Sequence, residues 1–301
     1  MGPMLRRTVV KAFGAAAATA ALGACTTAPV SSHTASSPTA APTTTKATEK
    51  PRPTGTAPAK TFPVGVRDLK LARGADRPLP TTVWFPAAAG KFPMILFSHG
   101  LAARPSDYAD LIVAWAKAGF VVAAPAYPHT AAGVADYNVL DVINQPADAA
   151  YVITQVLAKY GSRVDPQRIA AAGHSAGGVT TLEMFSSNRD DRLVAGVVLA
   201  GRQILATPFT GPSAPLFFVH GKRDSVVAYA DGRAAYDAVR WPKAFLSITD
   251  GDHVTTAADF GVVAASTTDF WRWSLYGDPA AKARLPRDAR KGGIAALTDH
   301  L

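Results

Sequence analysis

The chain has 301 residues, of which 48% are hydrophobic and 18% are charged. This composition allows one large folded domain, or two small ones, with a sizeable core. The formal net charge of +9 is concentrated at the two ends of the chain and forms no basic stripe interleaved with aromatic residues. We therefore expect no nucleic-acid partner, and we expect a monomer. Cys25 is the only cysteine, which excludes an intramolecular disulfide bond.

Residues 1–25 have the pattern of an export signal. Arg6-Arg7 is followed by an alanine-rich apolar segment, residues 12–24, that is too short to span a membrane comfortably. The arginine pair resembles a twin-arginine signal, although the general export route is also open. Leu22-Gly23-Ala24-Cys25 resembles a lipoprotein cleavage box, with a plain signal peptide as the alternative. We expect an exported, extracytoplasmic protein, attached to the membrane by a lipid on Cys25 or else secreted.

Three further segments follow the signal. Residues 26–61 are dominated by Thr, Ser, Ala and Pro, and a segment of this composition cannot bury enough apolar surface to fold, so we predict a disordered tether. Residues 62–277 are predicted to form the catalytic domain. Residues 278–301 are charged and weakly patterned, and we predict that they are a C-terminal extension.

Within the catalytic domain, strands alternate with helices. Short apolar runs predict strands over residues 64–71, 80–85, 92–97, 120–125, 169–172, 194–199, 216–219 and 244–248. Helical spacing predicts helices over residues 106–118, 139–160, 179–185, 229–239 and 257–276. Apolar strands that alternate with helices are typical of a mainly parallel, doubly wound sheet covered on both faces, so the predicted fold class is α/β.

The most informative stretch is Gly173-His174-Ser175-Ala176-Gly177, which has the pattern G-x-S-x-G. It follows the predicted strand 169–172 and precedes a predicted helix. Small residues two positions before and two after the serine allow a tight turn that exposes the hydroxyl above the sheet. The pattern predicts that Ser175 is a nucleophile; the alternative is a glycine-rich turn with an incidental serine.

A serine nucleophile needs a base, and the base needs a group that orients it. In α/β folds these partners lie at the carboxyl ends of later strands, the acid before the histidine. Asp224 follows the strand 216–219, and His253 follows the strand 244–248. We predict that these two residues complete a catalytic triad with Ser175.

Other acids fit less well. Asp252 is the sequence neighbour of His253 and cannot easily orient it, while Asp250 lies on the same loop as the histidine. Asp191 precedes a strand and would lie at the opposite edge of the sheet.

Other histidines also fit less well as the base. His99 and His220 follow strands, but His99 belongs to the predicted oxyanion loop and His220 precedes the acid loop. A histidine in such a place is more often a packing and hydrogen-bonding residue. His174 adjoins Ser175, but at such a turn its side chain points away from the nucleophile.

An oxyanion hole needs two preorganised donors. We predict that these are the backbone amides of Ala176, which follows the nucleophile, and Leu101, in the loop after the strand 92–97.

Five segments together carry a resemblance to a known superfamily: Phe97-Ser98-His99-Gly100-Leu101, Asp165-Pro166-Gln167-Arg168-Ile169, Gly173–Gly178, Val219–Asp224 and Gly251-Asp252-His253. On these segments, residues 62–276 resemble an α/β-hydrolase. Within that superfamily they are most similar to cutinase-like polyester hydrolases and to relatives of platelet-activating-factor acetylhydrolase and dienelactone hydrolase. Dienelactone hydrolases have a cysteine where this chain has Ser175, and polyester hydrolases usually have a methionine at Ala176 and a tryptophan near Arg202-Gln203.

Only 16 residues separate the strands 194–199 and 216–219, which leaves no room for the cap domain that some hydrolases insert there. We therefore predict an open cleft. Its predicted lining is mostly small or apolar and consists of Leu101, Ala102, His129, Ala176, Gln203 and Val254.

Taken together, these features predict a serine hydrolase that cleaves carboxylic esters and needs no metal or organic cofactor. A second hypothesis is a lipase, cutinase or polyester hydrolase acting on long-chain or insoluble esters. A third is a non-catalytic lipoprotein that keeps the fold and binds a ligand or partner in the cell envelope.

Overall fold

A computed structural model describes Pro53 and residues 56–301. The described part contains nine strands and six α-helices: β1 (Val64–Ala72), β2 (Pro78–Pro86), β3 (Phe92–Ser98), α1 (Ala109–Lys117), β4 (Val121–Pro125), α2 (Gln145–Tyr160), β5 (Val164–His174), α3 (Ala176–Glu183), β6 (Leu193–Leu199), β7 (Leu216–Gly221), α4 (Tyr229–Ala238), β8 (Lys243–Ile248), α5 (Ala257–Tyr276), α6 (Pro279–Ala289) and β9 (Ala295–His300).

The nine strands form one sheet in the order β1-β2-β4-β3-β5-β6-β7-β8-β9. The strands β3 to β8 pair in parallel. The two strands at one edge and the strand at the other are antiparallel to their neighbours. This is the α/β-hydrolase fold, and its parallel strands all end at the edge of the sheet where the catalytic residues are predicted.

The central strands are apolar on both faces because helices cover both sides of the sheet. In β3, Ile95 and Phe97 pack on the side of α1, α5 and α6, whereas Met94 and Leu96 face α2, α3 and α4. All four side chains are completely buried. This two-sided burial explains why the strand is a continuous apolar run in the sequence.

The segment after β6 contains no further helix or strand before β7 begins at Leu216. The predicted absence of a cap domain at this point is therefore confirmed for the described part of the chain, and the carboxyl ends of the strands are left uncovered from that direction.

Two predicted helices begin later than expected. Residues 105–108 and 139–144 form short 3-10 helices, which lead into α1 and α2 respectively. Pro105 begins the first of them, and Pro146 lies in the first turn of α2. Proline has no amide hydrogen and is accommodated more easily at a helix start than in its interior, which suits Pro105 and Pro146 to these positions.

The prediction that residues 278–301 are an extension is wrong. Asp278 caps α6 by accepting from the amides of Ala280 and Ala281 at 2.9 and 3.2 Å. Helix α6 buries Ala281, Leu285 and Ala289, which share one face. Strand β9 then pairs with β8 over its whole length. The segment lacks a long apolar run because β9 lies at the sheet edge, where half of its side chains remain in solvent.

At the other end, the folded domain begins earlier than residue 62. Ala57 is buried and belongs to the same core cluster as residues of α1 and α5, so its side chain belongs to the domain and not to the predicted tether. The predicted export signal and the lipidated Cys25 lie outside the described residues. Among the residues that are described, no helix is long and apolar enough to cross a membrane.

Candidate active site

Ser175 stands at a sharp turn between the end of β5 and the start of α3. Its backbone has φ 56° and ψ −118°, a conformation that costs a non-glycine residue free energy and tends to occur at functional sites. The amide of Ser175 donates to the carbonyl of Leu199 at the end of β6, at 2.9 Å. Tertiary packing therefore holds the serine in a strained conformation above the amino terminus of a helix.

The residues on either side of the turn must be small. A Cβ at Gly173 would lie 2.1 Å from the carbonyl oxygen of Gly177, and a Cβ at Gly177 would lie 1.9 Å from that of Ser98. Both distances are far below van der Waals contact, so the backbones of β3, β5 and α3 meet here without space for side chains.

The predicted acid and base lie together. His253 Nδ1 is 2.8 Å from Asp224 Oδ2, and the Asp224 side chain is completely buried. The other oxygen of Asp224 accepts from the amides of Val226 and Val227 at 2.9 and 2.8 Å. His220 Nε2 is a further 3.1 Å from Oδ2. The two amides fix the orientation of the carboxylate toward His253, while His220 Nε2 has its hydrogen bond with the carbonyl oxygen of Val227 at 3.0 Å.

This arrangement determines the tautomer of His253. A carboxylate can only accept, so Nδ1 of His253 carries the hydrogen and Nε2 keeps a lone pair. Within residues 56–301, no hydrogen bond joins that Nε2 atom to Ser175 Oγ. Such contacts often form only when substrate is bound.

The acids considered as alternatives have other contacts. Asp252 Oδ1 accepts from the amides of Ser225 and His253, at 3.0 and 2.8 Å. The hydrogen bond from the Ser225 amide, followed by that from the His253 amide, lowers the pKa of Asp252. Asp252 therefore ties the acid loop to the histidine loop. Asp250 and Asp191 are largely exposed and pair with arginines.

The two predicted oxyanion donors are both available. In the described part of the chain, neither the amide of Leu101 nor that of Ala176 is donated to another group. The next amide in the loop, that of Ala102, is taken up by the carbonyl of Thr130 at 2.8 Å. Gly100 places this loop beside the nucleophile, since a Cβ on it would lie 3.3 Å from Ser175 Cβ.

A chain of hydrogen bonds connects the oxyanion loop to the histidine loop. The Gly100 amide donates to the Tyr108 hydroxyl at 3.1 Å, the hydroxyl lies 2.8 Å from His174 Nδ1, and His174 Nε2 lies 2.7 Å from the carbonyl oxygen of His253. An amide can only donate and a carbonyl oxygen can only accept, which fixes the direction of each hydrogen bond when His174 is neutral. The Tyr108 hydroxyl donates to Nδ1 of His174, and Nε2–H of His174 donates to the carbonyl oxygen of His253. We call these four residues the loop bridge.

Burial lowers the pKa of His174 to about 4. The groups around it are Tyr108, His253, His220 and Asp224, and the opposing electrostatic effect of Asp224 is smaller than that of burial. His174 is therefore neutral at pH 7, as the loop bridge requires.

This shift predicts a pH dependence of stability. In the unfolded chain His174 has an ordinary histidine pKa near 6.5. As the pH falls below about 6.5, His174 is therefore protonated in the unfolded state but stays neutral in the folded state. Stability should fall between pH 6.5 and 4 by up to about 3 kcal/mol and then level off. Urea unfolding at a series of pH values, compared with His174→Gln, measures it. If the two proteins lose stability in parallel over this range, His174 is not responsible.

His99 has a structural place beside the same loop. Its Nδ1 lies 2.7 Å from the carbonyl oxygen of Gly100, and its Nε2 accepts from the amide of Tyr127 at 3.0 Å. Both nitrogens are occupied, and burial lowers its pKa. The structure thus gives His99 two partners in the scaffold and ties His220 Nε2 to the carbonyl oxygen of Val227 at 3.0 Å, whereas His253 directs Nδ1 to Asp224 and makes no hydrogen bond to any described residue through Nε2.

The predicted substrate lining is only partly brought together. Val254 lines a cavity of about 130 Å³ beside His174. Ala102, His129 and Gln203 do not line that cavity: His129 Nδ1 lies 3.1 Å from the carbonyl oxygen of Asp136, and Gln203 donates to the carbonyl of Thr207 at 2.6 Å.

Tyr108, His174 and Asp252 are the residues that sequence reasoning missed as parts of the site. Tyr108 has helical spacing with apolar neighbours, which suggested only core packing.

No group of three or more His, Cys, Asp or Glu side chains in residues 56–301 has the arrangement of a metal site.

Comparison with known proteins agrees with this architecture. The family model for chlorophyllase matches residues 53–195, just under half of the chain. The match includes Ser175 and ends before Asp224 and His253. The uncharacterized protein YfhR of Escherichia coli (strain K12) is 26% identical over 125 residues, which cover 34% of this chain and 43% of that protein. The match thus spans less than half the length of this relative. With the fold, the similarity to chlorophyllase indicates a hydrolase of the α/β-hydrolase kind.

Proposed function

We propose that the protein is a serine hydrolase that cleaves carboxylic esters through an acyl-enzyme. The observation that supports this most strongly is the strained turn at Ser175, beside free backbone amides and a His253–Asp224 pair. Strain, free donors and an oriented base serve no purpose in a structural turn, and each is a requirement of acyl transfer.

In the first half of the proposed reaction, Ser175 Oγ attacks the ester carbonyl carbon while His253 Nε2 takes its proton. The carbonyl oxygen becomes an oxyanion and accepts from the amides of Leu101 and Ala176. Asp224 stabilises the imidazolium. The intermediate then breaks its bond to the alcohol oxygen, which takes the proton from His253 and leaves.

In the second half, water attacks the acyl-enzyme. His253 accepts a proton from the water and returns it to Ser175 as the acid is released. Each cycle thus consumes one ester and one water, and it yields one alcohol and one acid.

The proposal predicts a stoichiometric labelling event. A fluorophosphonate probe should phosphonylate one site per chain, at Ser175, because the serine oxygen attacks phosphorus as it would attack the ester carbon and displaces fluoride. Mass spectrometry of the labelled peptide identifies the residue. Folded protein that resists the probe, and that shows neither a burst nor turnover on p-nitrophenyl acetate, would exclude the proposed activity.

The loop bridge yields a second prediction. Tyr108→Phe removes the hydroxyl shared by Gly100 and His174, so the oxyanion loop and the histidine loop lose their connection. We expect kcat to fall by roughly 10- to 100-fold, since small displacements of catalytic groups have effects of this size, with a smaller change in KM. Steady-state kinetics measures both constants. The control is Tyr151→Phe on α2, and a pure change in KM would show that the bridge does not position catalytic groups.

A second candidate function is supported by the distribution of exposed apolar side chains. Ten large apolar side chains are exposed among the described residues, and nine of them lie on segments that leave the carboxyl ends of the strands: Leu101, Tyr137, Val139, Leu140, Ile143, Ile204, Leu205, Val226 and Val254. Exposed apolar side chains on the loops at the edge of the sheet that carries the catalytic residues favour contact with an aggregated or insoluble ester. A preference for acyl chains beyond about ten carbons, or hydrolysis of polymer film, would favour this lipase- or cutinase-like function over a general esterase.

A further inference from the structure

The cavity of about 130 Å³ lies where the amino-terminal ends of α1 and α5 approach the ends of β5 and β6. Its walls are mainly apolar and consist of Leu111, Leu199, Val254, Phe260 and Val263. Its polar lining residues are Asp107, Tyr108, Asp110, His174 and Thr255. It opens toward solvent beside Val254, which is 62% exposed.

The cavity adjoins the loop that carries His253, although neither Ser175 nor His253 lines it. His174, which lines it, immediately precedes Ser175, and its ring centre is 4.7 Å from that of His253. Val254, which also lines it, immediately follows His253. In the proposed reaction, His253 delivers its proton to the alcohol oxygen, so the alcohol leaves on the side of this residue. An ester held at Ser175 would therefore reach the cavity through its alcohol part.

The size of the cavity limits what it can hold. An engineered protein cavity of about 150 Å³ binds benzene, and this cavity is slightly smaller. It matches a ring or a branched group of about five or six carbon atoms, whereas a long alkyl chain would extend past it into solvent.

The polar atoms of two lining residues, Tyr108 and His174, are already engaged within the protein. The Tyr108 hydroxyl lies between Gly100 and His174, and both ring nitrogens of His174 are engaged in the loop bridge. The wall formed by Tyr108 and His174 therefore has no free donor to offer, and a polar group placed against it would lose its hydrogen bonds to water. The remaining hydroxyl of the lining, that of Thr255, belongs to an exposed residue.

The negative charges of the lining favour some ligands over others. Asp107 and Asp110 both line the cavity and both are exposed residues. An anionic group, such as the carboxylate of the acid product, is repelled by them, whereas a neutral or cationic group is not. This charge pattern also suits the alcohol part of the ester and not the acid.

We propose that this cavity binds the alcohol part of the substrate and selects esters of compact apolar alcohols, cyclic, aromatic or branched. The proposal rests on the ester hydrolase function proposed above and names its substrate class. It predicts that benzyl and cyclohexyl acetates are better substrates than ethyl or decyl acetate.

The test compares full-length wild type with Val254→Phe, which fills the cavity from its exposed opening. The matched control is Val66→Phe, because Val66 is 43% exposed on β1 and far from the cavity in the sheet order. The measured quantity is the ratio of kcat/KM for benzyl acetate to that for ethyl acetate. We expect Val254→Phe to lower this ratio about tenfold or more, the usual effect of a misfitted apolar pocket, and Val66→Phe to leave it unchanged.

Direct binding provides a readout that does not need turnover. Calorimetric titration should show that benzyl alcohol binds wild type and Val66→Phe but not Val254→Phe, and that benzoate binds more weakly than benzyl alcohol. Turnover with an unchanged ratio in Val254→Phe would overturn the cavity assignment and leave the esterase function intact. Binding that follows this pattern without any turnover would overturn the esterase function and keep the cavity as a binding site for compact apolar alcohols. Absence of both turnover and benzyl alcohol binding would overturn both the esterase function and the cavity assignment.

Discussion

Replacing Ser175 with alanine is expected to lower kcat for p-nitrophenyl acetate by a factor of roughly 10⁶, the scale seen when a triad serine is removed. The alanine keeps the Cβ and loses only the Oγ atom, so the turn and its contacts should persist. Residual turnover should then depend on the oxyanion donors alone, because the amides of Leu101 and Ala176 are part of the backbone.

The control for this substitution is Ser106→Ala. Ser106 is exposed in the 3-10 helix before α1, at the same edge of the sheet, so it tests for unspecific reaction of a surface serine. Both variants should keep the wild-type free energy of unfolding, and only Ser175→Ala should lose turnover and fluorophosphonate labelling. Full turnover in Ser175→Ala would show that another residue is the nucleophile.

The fold could be predicted from the sequence wherever a strand is buried on both faces. β3 and β6 to β8 are continuous apolar runs, and the structure places a strand at each of them within one or two residues of its predicted bounds. β9 could not be predicted in the same way. It is an edge strand whose pairing with β8 depends on α6 returning the chain to the sheet, and its sequence, Ala-Ala-Leu-Thr-Asp-His, has no apolar run.

The candidate site also has a part that the sequence predicts and a part that it does not. Ser175, Asp224 and His253 each follow a buried strand, so strand order alone brings them to one edge of the sheet. The hydrogen bond between Tyr108 and His174 joins residues 66 positions apart, and it depends on the rotation of the turn before α1. Periodicity does not fix such a rotation, so the loop bridge and the cavity beside it required the structure.

The turn itself is expected to tolerate no side chain at Gly177. In Gly177→Ala, the added Cβ would lie 1.9 Å from Ser98 O and 2.4 Å from Ser98 C. These are backbone atoms at the end of β3, which cannot move aside as the tip of a flexible side chain can. We expect the free energy of unfolding to fall by about 3 kcal/mol or more, and turnover to fall with it, because Ser98 leads directly into the oxyanion loop.

A matched substitution in α5 shows what the same methyl group does where space is available. Gly261 is exposed within the helix, and a Cβ on it would meet nothing within 4 Å. Gly261→Ala should therefore stabilise the fold by about 0.5–1 kcal/mol, because alanine loses less backbone entropy in a helix. Urea unfolding of both variants measures the two changes in the free energy of unfolding, which should have opposite signs. A Gly177→Ala protein as stable as wild type would mean that β3 and α3 are not in backbone contact, and the tight turn that presents Ser175 would lose its physical basis.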